Sequence, residues 1–364
     1  MTGASDGRSE WRSRLIADLA AAPPADIESR RAVAKRVADI LRPAGALARL
    51  DEVAVWLAGW QRTTAPSVER PAAIIFAGDH GVAPLSAYPA EVTAAMVEAF
   101  EKNRASISAL SAAAGATVTV VDVGVGAPTA DIRVEPAMDR DRFQQSFDRG
   151  RGAVATLLDG DGVDLLVVGE MGIGNTTAAA AVICALLGCP AEMIVGRGTG
   201  VDDEGLARKI EAVTEAVSRF SASTSASTSA SASASASASA TALEALRQLG
   251  GTELVAMAGA LVEARCRSLP VLLDGFVGGA SAMVVHHLHP EASRHLWAGH
   301  RSAEHGHGAV LDHLELRPLL DLDFRLGEAS GAMAAVPLVR MACALVTDVP
   351  TFAEWFGSSD TEPS

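Results

Sequence analysis

One stretch constrains the fold more than any other: LLVVGEMGIGNTTAAAAVICALL, Leu165–Leu187. Leu165–Val168 is an apolar, β-branched run, the pattern of a strand buried inside a parallel sheet. A turn with Gly169, Gly172 and Gly174 follows, and Asn175, Thr176 and Thr177 then offer capping side chains to an Ala-rich helix. Strand, glycine turn and helix N-terminus form an anion-binding geometry. Glycine lets the backbone come close, and the free N–H groups and helix dipole favour negative charge, so a phosphate is the natural guest. No lysine follows the last glycine, which excludes a nucleoside-triphosphate P-loop, and the third glycine of a dinucleotide fingerprint is missing near Thr177. Glu170, inside the turn, would repel a phosphate and so faces a cationic or proton-bearing part of the ligand. The competing reading is a tight turn that needs glycine for packing alone.

Further strand–loop–helix units flank this one. PAAIIFAGDHGV predicts a strand at Ala72–Ala77 running into a loop with Asp79 and His80, either a ligand-facing pair or a His–Asp hydrogen bond stiffening the loop. A helix is expected over Glu91–Leu110 and a second strand–turn over Ala116–Gly126. EPAMDRDRF starts a helix with Asp139 as N-cap. AEMIVGRGTGVDDEGLARKI predicts another strand–glycine–helix unit, with Gly196, Gly198 and Gly200 in the turn, Asp202 or Asp203 capping, and Lys209 one to two turns into the helix. Val271–Leu273 is a strand ending in Asp274. Such repeats predict a parallel, Rossmann-like α/β sheet flanked by helices. Helices at Arg14–Ala21, Asp26–Leu41 and Leu47–Trp60 precede it, with Trp56 and Trp60 as a packing face. The expected division is a large domain over 66–325 and a smaller helical domain from 1–65 and 326–364.

The net charge of −14 argues against nucleic acid and anionic membranes as partners. No cleavable signal or membrane-length apolar run is read, which points to the cytoplasm. Cys184, Cys189, Cys266 and Cys343 lie in apolar surroundings without a CxxC spacing and read as reduced, buried thiols. Ser221–Ala240 is a Ser/Ala tract of low complexity, expected to be a weakly ordered surface segment. His286, His287 and His289 read as solvated or capping, and His300, Ser302, Glu304, His305 and His307 as a polar loop opening a helix. No metal site is assigned to either group. Glu328, between Gly327 and Gly331, either caps the C-terminal helix or serves as a base.

GEMGIGNTT, FAGDHGV, SAYPAEVT, VVDVGV, VGRGTGVDDEGLARK, PVLLDGF, AGHRSAE and PLLDLDFRLGEASGA mark the chain as a set. Together they strongly resemble the nicotinate-nucleotide–dimethylbenzimidazole phosphoribosyltransferases, in the family's order from about Phe76 to Phe352. The resemblance implies transfer of the phosphoribosyl group of nicotinate mononucleotide to 5,6-dimethylbenzimidazole, with inversion. The products are α-ribazole 5′-phosphate and nicotinate, on the way to the cobalamin nucleotide loop. It implies a homodimer with its active site near the subunit boundary, and no cofactor. Glu328 corresponds to the family's proton acceptor, and Glu170 and Asp274 to supporting acids. Gly172, Gly174, Asn175, Thr176, Gly198, Gly200, Lys209 and Ser302 fall around the nucleotide, and Tyr88, Met96 and Leu326 around the base, with Pro84, Leu85 and Ser86 shaping its pocket. The loop before Ser86 is shorter than the family's usual one, and NRASIS (Asn103–Ser108) replaces a glycine-rich turn. The pyridinium leaving group departs as a neutral ring, so no metal is needed, while the attacking azole must lose a proton. Two alternatives remain: transfer to another base, such as adenine or a phenol, and a homologue that binds nucleotide or azole without turnover.

Overall fold

The computed structural model describes residues 3–160, 162–225 and 234–357. The first half of the chain runs α1 (Gly3–Ala21), α2 (Ile27–Asp39), α3 (Ala48–Gln61), β1 (Pro71–Gly78), α4 (Val92–Glu101), α5 (Ser106–Ala114), β2 (Thr117–Gly124), α6 (Arg140–Asp159), β3 (Leu165–Met171) and α7 (Asn175–Leu187). It continues as α8 (Asp203–Ser225), α9 (Ala234–Leu249), α10 (Thr252–Cys266), β4 (Val271–Leu273), α11 (Phe276–Leu288), β5 (Leu296–Ala298), β6 (His300–Arg301), α12 (His307–His313), β7 (Leu320–Asp321), α13 (Ser330–Thr347) and α14 (Phe352–Phe356).

Five parallel strands form the central sheet in the order β2-β1-β3-β4-β5. Both faces are covered, which explains the unbroken apolar runs of β1 and β3. Alternate residues serve opposite layers. Ile74, Phe76, Leu166, Val168 and Leu273 meet α1, α6, α7, α10 and α11 on one face. Ala73, Ile75, Val167 and Leu272 meet α3, α5 and α13 on the other. The winding reverses between β1 and β3, and the carboxyl ends of strands beside such a switch point form a natural ligand crevice.

Several expectations need correction. β3 continues through Gly169, Glu170 and Met171, so Glu170 is a strand residue and not part of the turn. The helix expected over Glu91–Leu110 is two helices, broken at 102–105, where Asn103 is left-handed with φ 53°. Before Gly196 there is a single 3₁₀ turn, Ala191–Met193, and no strand. The Ser/Ala tract ends α8 and begins α9, as Ala's high helix propensity allows. Ser239 is buried and donates to the carbonyls of His287 (3.1 Å) and Leu288 (3.3 Å). Residues 226–233 of the tract lie outside the described residues. α13 is apolar and long enough to cross a membrane, contrary to expectation, but more than half of it is buried. It packs against α3 and α5 as a core helix.

The expected N-caps Asp139 and Asp202 accept from the N–H groups of Arg142 (2.8 Å) and Gly205 (2.7 Å). Trp56 and Trp60 are buried and donate to Arg294 O. All four cysteines are free.

His286 and His287, half-buried in the last turn of α11, pack against other side chains instead of standing free in solvent. His287 stacks on His313 at 5.2 Å with planes 16° apart, and His286 Nδ1 lies 2.9 Å from Ser293 Oγ. Burial, and then the neighbouring His313 and His286, push His287 down to about 4 from 6.5. Burial, then His313 and Arg294, lowers His286 against the opposing pull of Glu315 and Glu291. Burial lowers His313 too. Below about pH 6.5 the unfolded chain takes up protons that these folded rings refuse, so stability is expected to fall as pH drops toward about 4. In thermal melts between pH 7 and 5, His287→Phe should show a flatter pH profile than the parent. Parallel profiles would remove the cluster from the account.

Candidate active site

Glu170, Asp274 and His300, at the ends of β3, β4 and β5–β6, meet the turn that starts α13, and the loop after β1 packs on the turn after β3. α7 begins at Gly174, whose φ of 102° suits only glycine. A Cβ there would also sit a tight 3.0 Å from Ala83 N, so backbone conformation and packing both favour glycine here. Asn175, Thr176 and Thr177 do not cap the helix. Asn175 Nδ2 donates to Glu170 Oε2, Thr176 Oγ1 accepts from Lys209, and Thr177 is buried. Asn175 and Thr176 are committed elsewhere and Thr177 makes no cap, which leaves the helix dipole facing the crevice.

Lys209 reaches this point from α8. Its Nζ donates to Thr176 Oγ1 at 3.1 Å and Gly196 O at 2.9 Å. Gly198 (φ 55°) lies beside it, since a Cβ there would be 2.7 Å from Thr176 Oγ1 and 3.0 Å from Lys209 Nζ. Gly200 is also left-handed, at φ 110°. Burial lowers the Lys209 ammonium to about 8, with Glu304 pulling the other way. An ammonium has three donors, so one remains for a ligand. Arg325 Nη1 donates to Gly198 O at 3.3 Å and adds a second cation. Ser302 lies beside Gly275, is buried, and accepts from Glu304 N at 3.2 Å.

The acids gather on the other side of Asn175. Glu170 is pushed well above the usual carboxylate range, first by burial and then by Glu253, Asp274 and Glu328, against the Asn175 hydrogen bond. Burial, and then Asp274, raise Glu328 to about 7. Gly327, Glu328 and Ala329 are successive left-handed residues with φ 80°, 57° and 63°. Two non-glycine residues in this region cost about 1 kcal/mol or more each and persist only where the surroundings over-determine them. Here Ser330 N and Oγ both donate to Gly327 O (2.9 and 2.6 Å), and Asp274 Oδ1 accepts from Ala332 N at 2.8 Å. A Cβ on Gly327 would come within 2.5 Å of Glu170 Oε1, which brings the strand acid and the turn acid together. The helix-capping reading of Glu328 is displaced: α13 has Ala329 as its N-cap without a side-chain bond, and Asp274 serves the first turn instead. Behind Asp274 stands His300, Nε2 3.4 Å from Oδ1, and then His307, pushed down to about 3 by burial and by His300.

The family model described as a phosphoribosyltransferase matches residues 22–355. The chain is 41% identical over 348 residues to the nicotinate-nucleotide–dimethylbenzimidazole phosphoribosyltransferase of Chloroflexus aggregans, covering 91% of this chain and 94% of that one. The chain belongs to this phosphoribosyltransferase family. The enzyme of the same name from Methylorubrum extorquens is 44% identical, covering 93% and 94% of the two chains. The crystal structure of CobT from Thermus thermophilus superposes with a TM-score of 0.81 at 40% identity, covering 90% of this chain and 98% of that one.

In this member of the phosphoribosyltransferase family the expected residues separate into groups. Glu170, Asp274 and Glu328 converge, as do Gly198, Thr176 and Lys209. Tyr88 (53% exposed) and Leu326 (54% exposed) lie on the surface, and Met96 packs on the core. The loop holding Tyr88 touches the 198–200 turn through Ala87 N, which donates to Thr199 Oγ1 at 3.4 Å. Of the two readings of Asp79 and His80, the His–Asp bond is not made: Asp79 accepts from Gly126 N at 2.7 Å, and His80 pairs with Glu253. Glu253 and Arg325 were missed. A lone carboxylate opening the otherwise apolar TELVAMAGALV helix was the available signal for the first, and a cation two residues before Gly327 for the second.

Proposed function

We propose that the protein transfers the phosphoribosyl group of nicotinate mononucleotide to 5,6-dimethylbenzimidazole, forming α-ribazole 5′-phosphate and releasing nicotinate. The observation that carries this reading is the pairing of an anion cradle at Lys209, Thr176 and Gly198 with Glu328, a buried carboxyl whose pKa lies near neutrality, at about 7. The phosphate sits against Gly172–Thr176 and Gly198–Gly200 with Lys209, Ser302 and Arg325. The azole's free nitrogen attacks C1′ from the face opposite the pyridinium. The C1′–N bond breaks with its electron pair going to the nicotinate ring, which leaves neutral at nitrogen. Glu170 and Asp274 favour the positive charge that develops on the ribosyl carbon, and Glu328 accepts the azole N–H proton. Tyr88, Met96 and Leu326 contact the base.

Residues 66–325 form the catalytic α/β unit in this reading, completed by helices from 1–65 and 326–364. The protein works in the cytoplasm, in keeping with its four free cysteines. It works as a homodimer whose partner covers the exposed Tyr88 and Leu326 rim. Small-angle scattering should return a dimer mass, and a monomer would overturn the assembly. Incubation with nicotinate mononucleotide and dimethylbenzimidazole, benzimidazole, adenine or phenol, read by product mass, tests the reaction. Nicotinate release with dimethylbenzimidazole is expected. Nucleotide binding without release for any base would leave a binding homologue.

A further inference from the structure

His80 takes no part in the chemistry proposed above, yet it is almost completely buried beside that chemistry. Its Nε2 stands 2.5 Å from Glu253 Oε1, and both side chains are fully enclosed. Three glycines close on this pair. A Cβ on Gly172 would lie 3.1 Å from His80 Nε2, one on Gly174 3.2 Å from His80 Cβ, and one on Gly251 would overlap His80 Cε1. Gly172 and Gly174 belong to the turn after β3, and Gly251 precedes α10. The imidazole therefore fills the space between the turn and the start of α10. Glu253 stands in the first turn of α10, which packs along α6 and across β1 and β3.

A ring wanted only for its volume would be apolar. His80 Nδ1 and Glu253 Oε2 are instead buried without a hydrogen-bond partner, a cost that structures seldom carry without a use. The bond to Glu253 fixes how the ring is rotated, and the ring's edge lies against Gly172 beside Gly78 O, while Gly174 rests on His80 Cβ and the Ala83 backbone. The same turn carries Asn175, which holds Glu170, and the N-terminus of α7.

We propose that His80, oriented by Glu253, is a positioning residue for the nucleotide: it sets the placement of the 172–174 turn against the phosphate. The proposal rests on the functional reading above. It is tested with His80→Ala, His80→Gln and His80→Asn in the full-length protein. Gln places an amide nitrogen near the position of the imidazole Nε2 and can still donate to Glu253, whereas Asn falls short. Each variant is measured for KM of nicotinate mononucleotide, KM of dimethylbenzimidazole, kcat, and nucleotide Kd by calorimetry. In the Ala variant, KM and Kd for the nucleotide should rise about tenfold, with kcat and the base KM changing less than about threefold, because a small misplacement of a binding turn weakens what it holds. Gln should recover most of the loss and Asn should not. A drop in kcat at unchanged nucleotide affinity, or equal nucleotide affinities for Gln and Asn, would overturn the proposal. If the Ala variant does not fold, the Gln–Asn comparison decides alone. If the parent protein releases no nicotinate, the functional reading fails, and the calorimetric affinities still decide the role of His80.

Discussion

Replacing Glu328 with Gln should lower kcat by about 10²–10⁴-fold, the usual contribution of a positioned general base, while leaving nucleotide affinity nearly unchanged. Gln has the same length and the same left-handed backbone demand at φ 57°, so the turn is preserved and only proton acceptance is lost. The parent kcat should climb with pH through a limb near 7, where Glu328 ionises, and the variant should lack that limb. Stability should move the opposite way from activity. The folded carboxyl stays protonated up to about 7, whereas in the unfolded chain it ionises near 4.5. The folded state thus binds more protons across that window, and this residue's contribution to stability falls as pH rises through it. The variant should melt a few degrees higher than the parent at pH 8, at about 1–2 °C per kcal/mol for a chain of 364 residues, and close to it at pH 4. Near-parental turnover would take Glu328 out of the mechanism and leave Glu170 or Asp274 as the next candidate.

Replacing Lys209 with Met should raise the nucleotide KM about 10–100-fold, the range set by losing a hydrogen bond of about 1.5–3 kcal/mol from a charged donor. Met keeps the apolar stem that crosses the core and removes the ammonium. Since burial brings Lys209 down to about 8, nucleotide affinity of the parent should weaken as pH rises past 8. The variant should be flat there. Combined with the Glu328 limb near 7, the parent kcat/KM profile should be a narrow bell. Calorimetric titration of nicotinate mononucleotide from about pH 6.5 to about 9.5, spanning that high limb, checks it. An unchanged Kd in the variant would move the phosphate elsewhere.

The parallel sheet was legible because β1 and β3 are apolar runs without alternation, which only a strand covered on both faces tolerates. Phe76 and Ile75, adjacent in sequence, end in opposite layers. The glycine turn was legible from spacing, but the work of its polar residues was not. Asn175 and Thr176 look like caps locally, and only the fold brings Glu170 and Lys209 to them. Glu328 could be named from family resemblance, whereas its pKa depends on burial and on Asp274, far away in sequence. His80 and Glu253 lie 173 positions apart, so nothing local in the sequence pairs them.

The place of Glu328 at the mouth of α13 also ties activity to the docking of that helix. α13 enters the molecule late in the chain and buries Met333, Val336 and Val339 against the layer built by α3 and α5. In the proposed mechanism the nucleotide's contacts come from Gly172–Lys209 together with Ser302 and Arg325 from later loops. Glu328 is held by the turn that leads into this helix, whose first turn is tied down where Asp274 accepts from Ala332 N. In that mechanism a molecule whose α13 has come undocked lacks its proton acceptor, so turnover requires this last long helix to be in place.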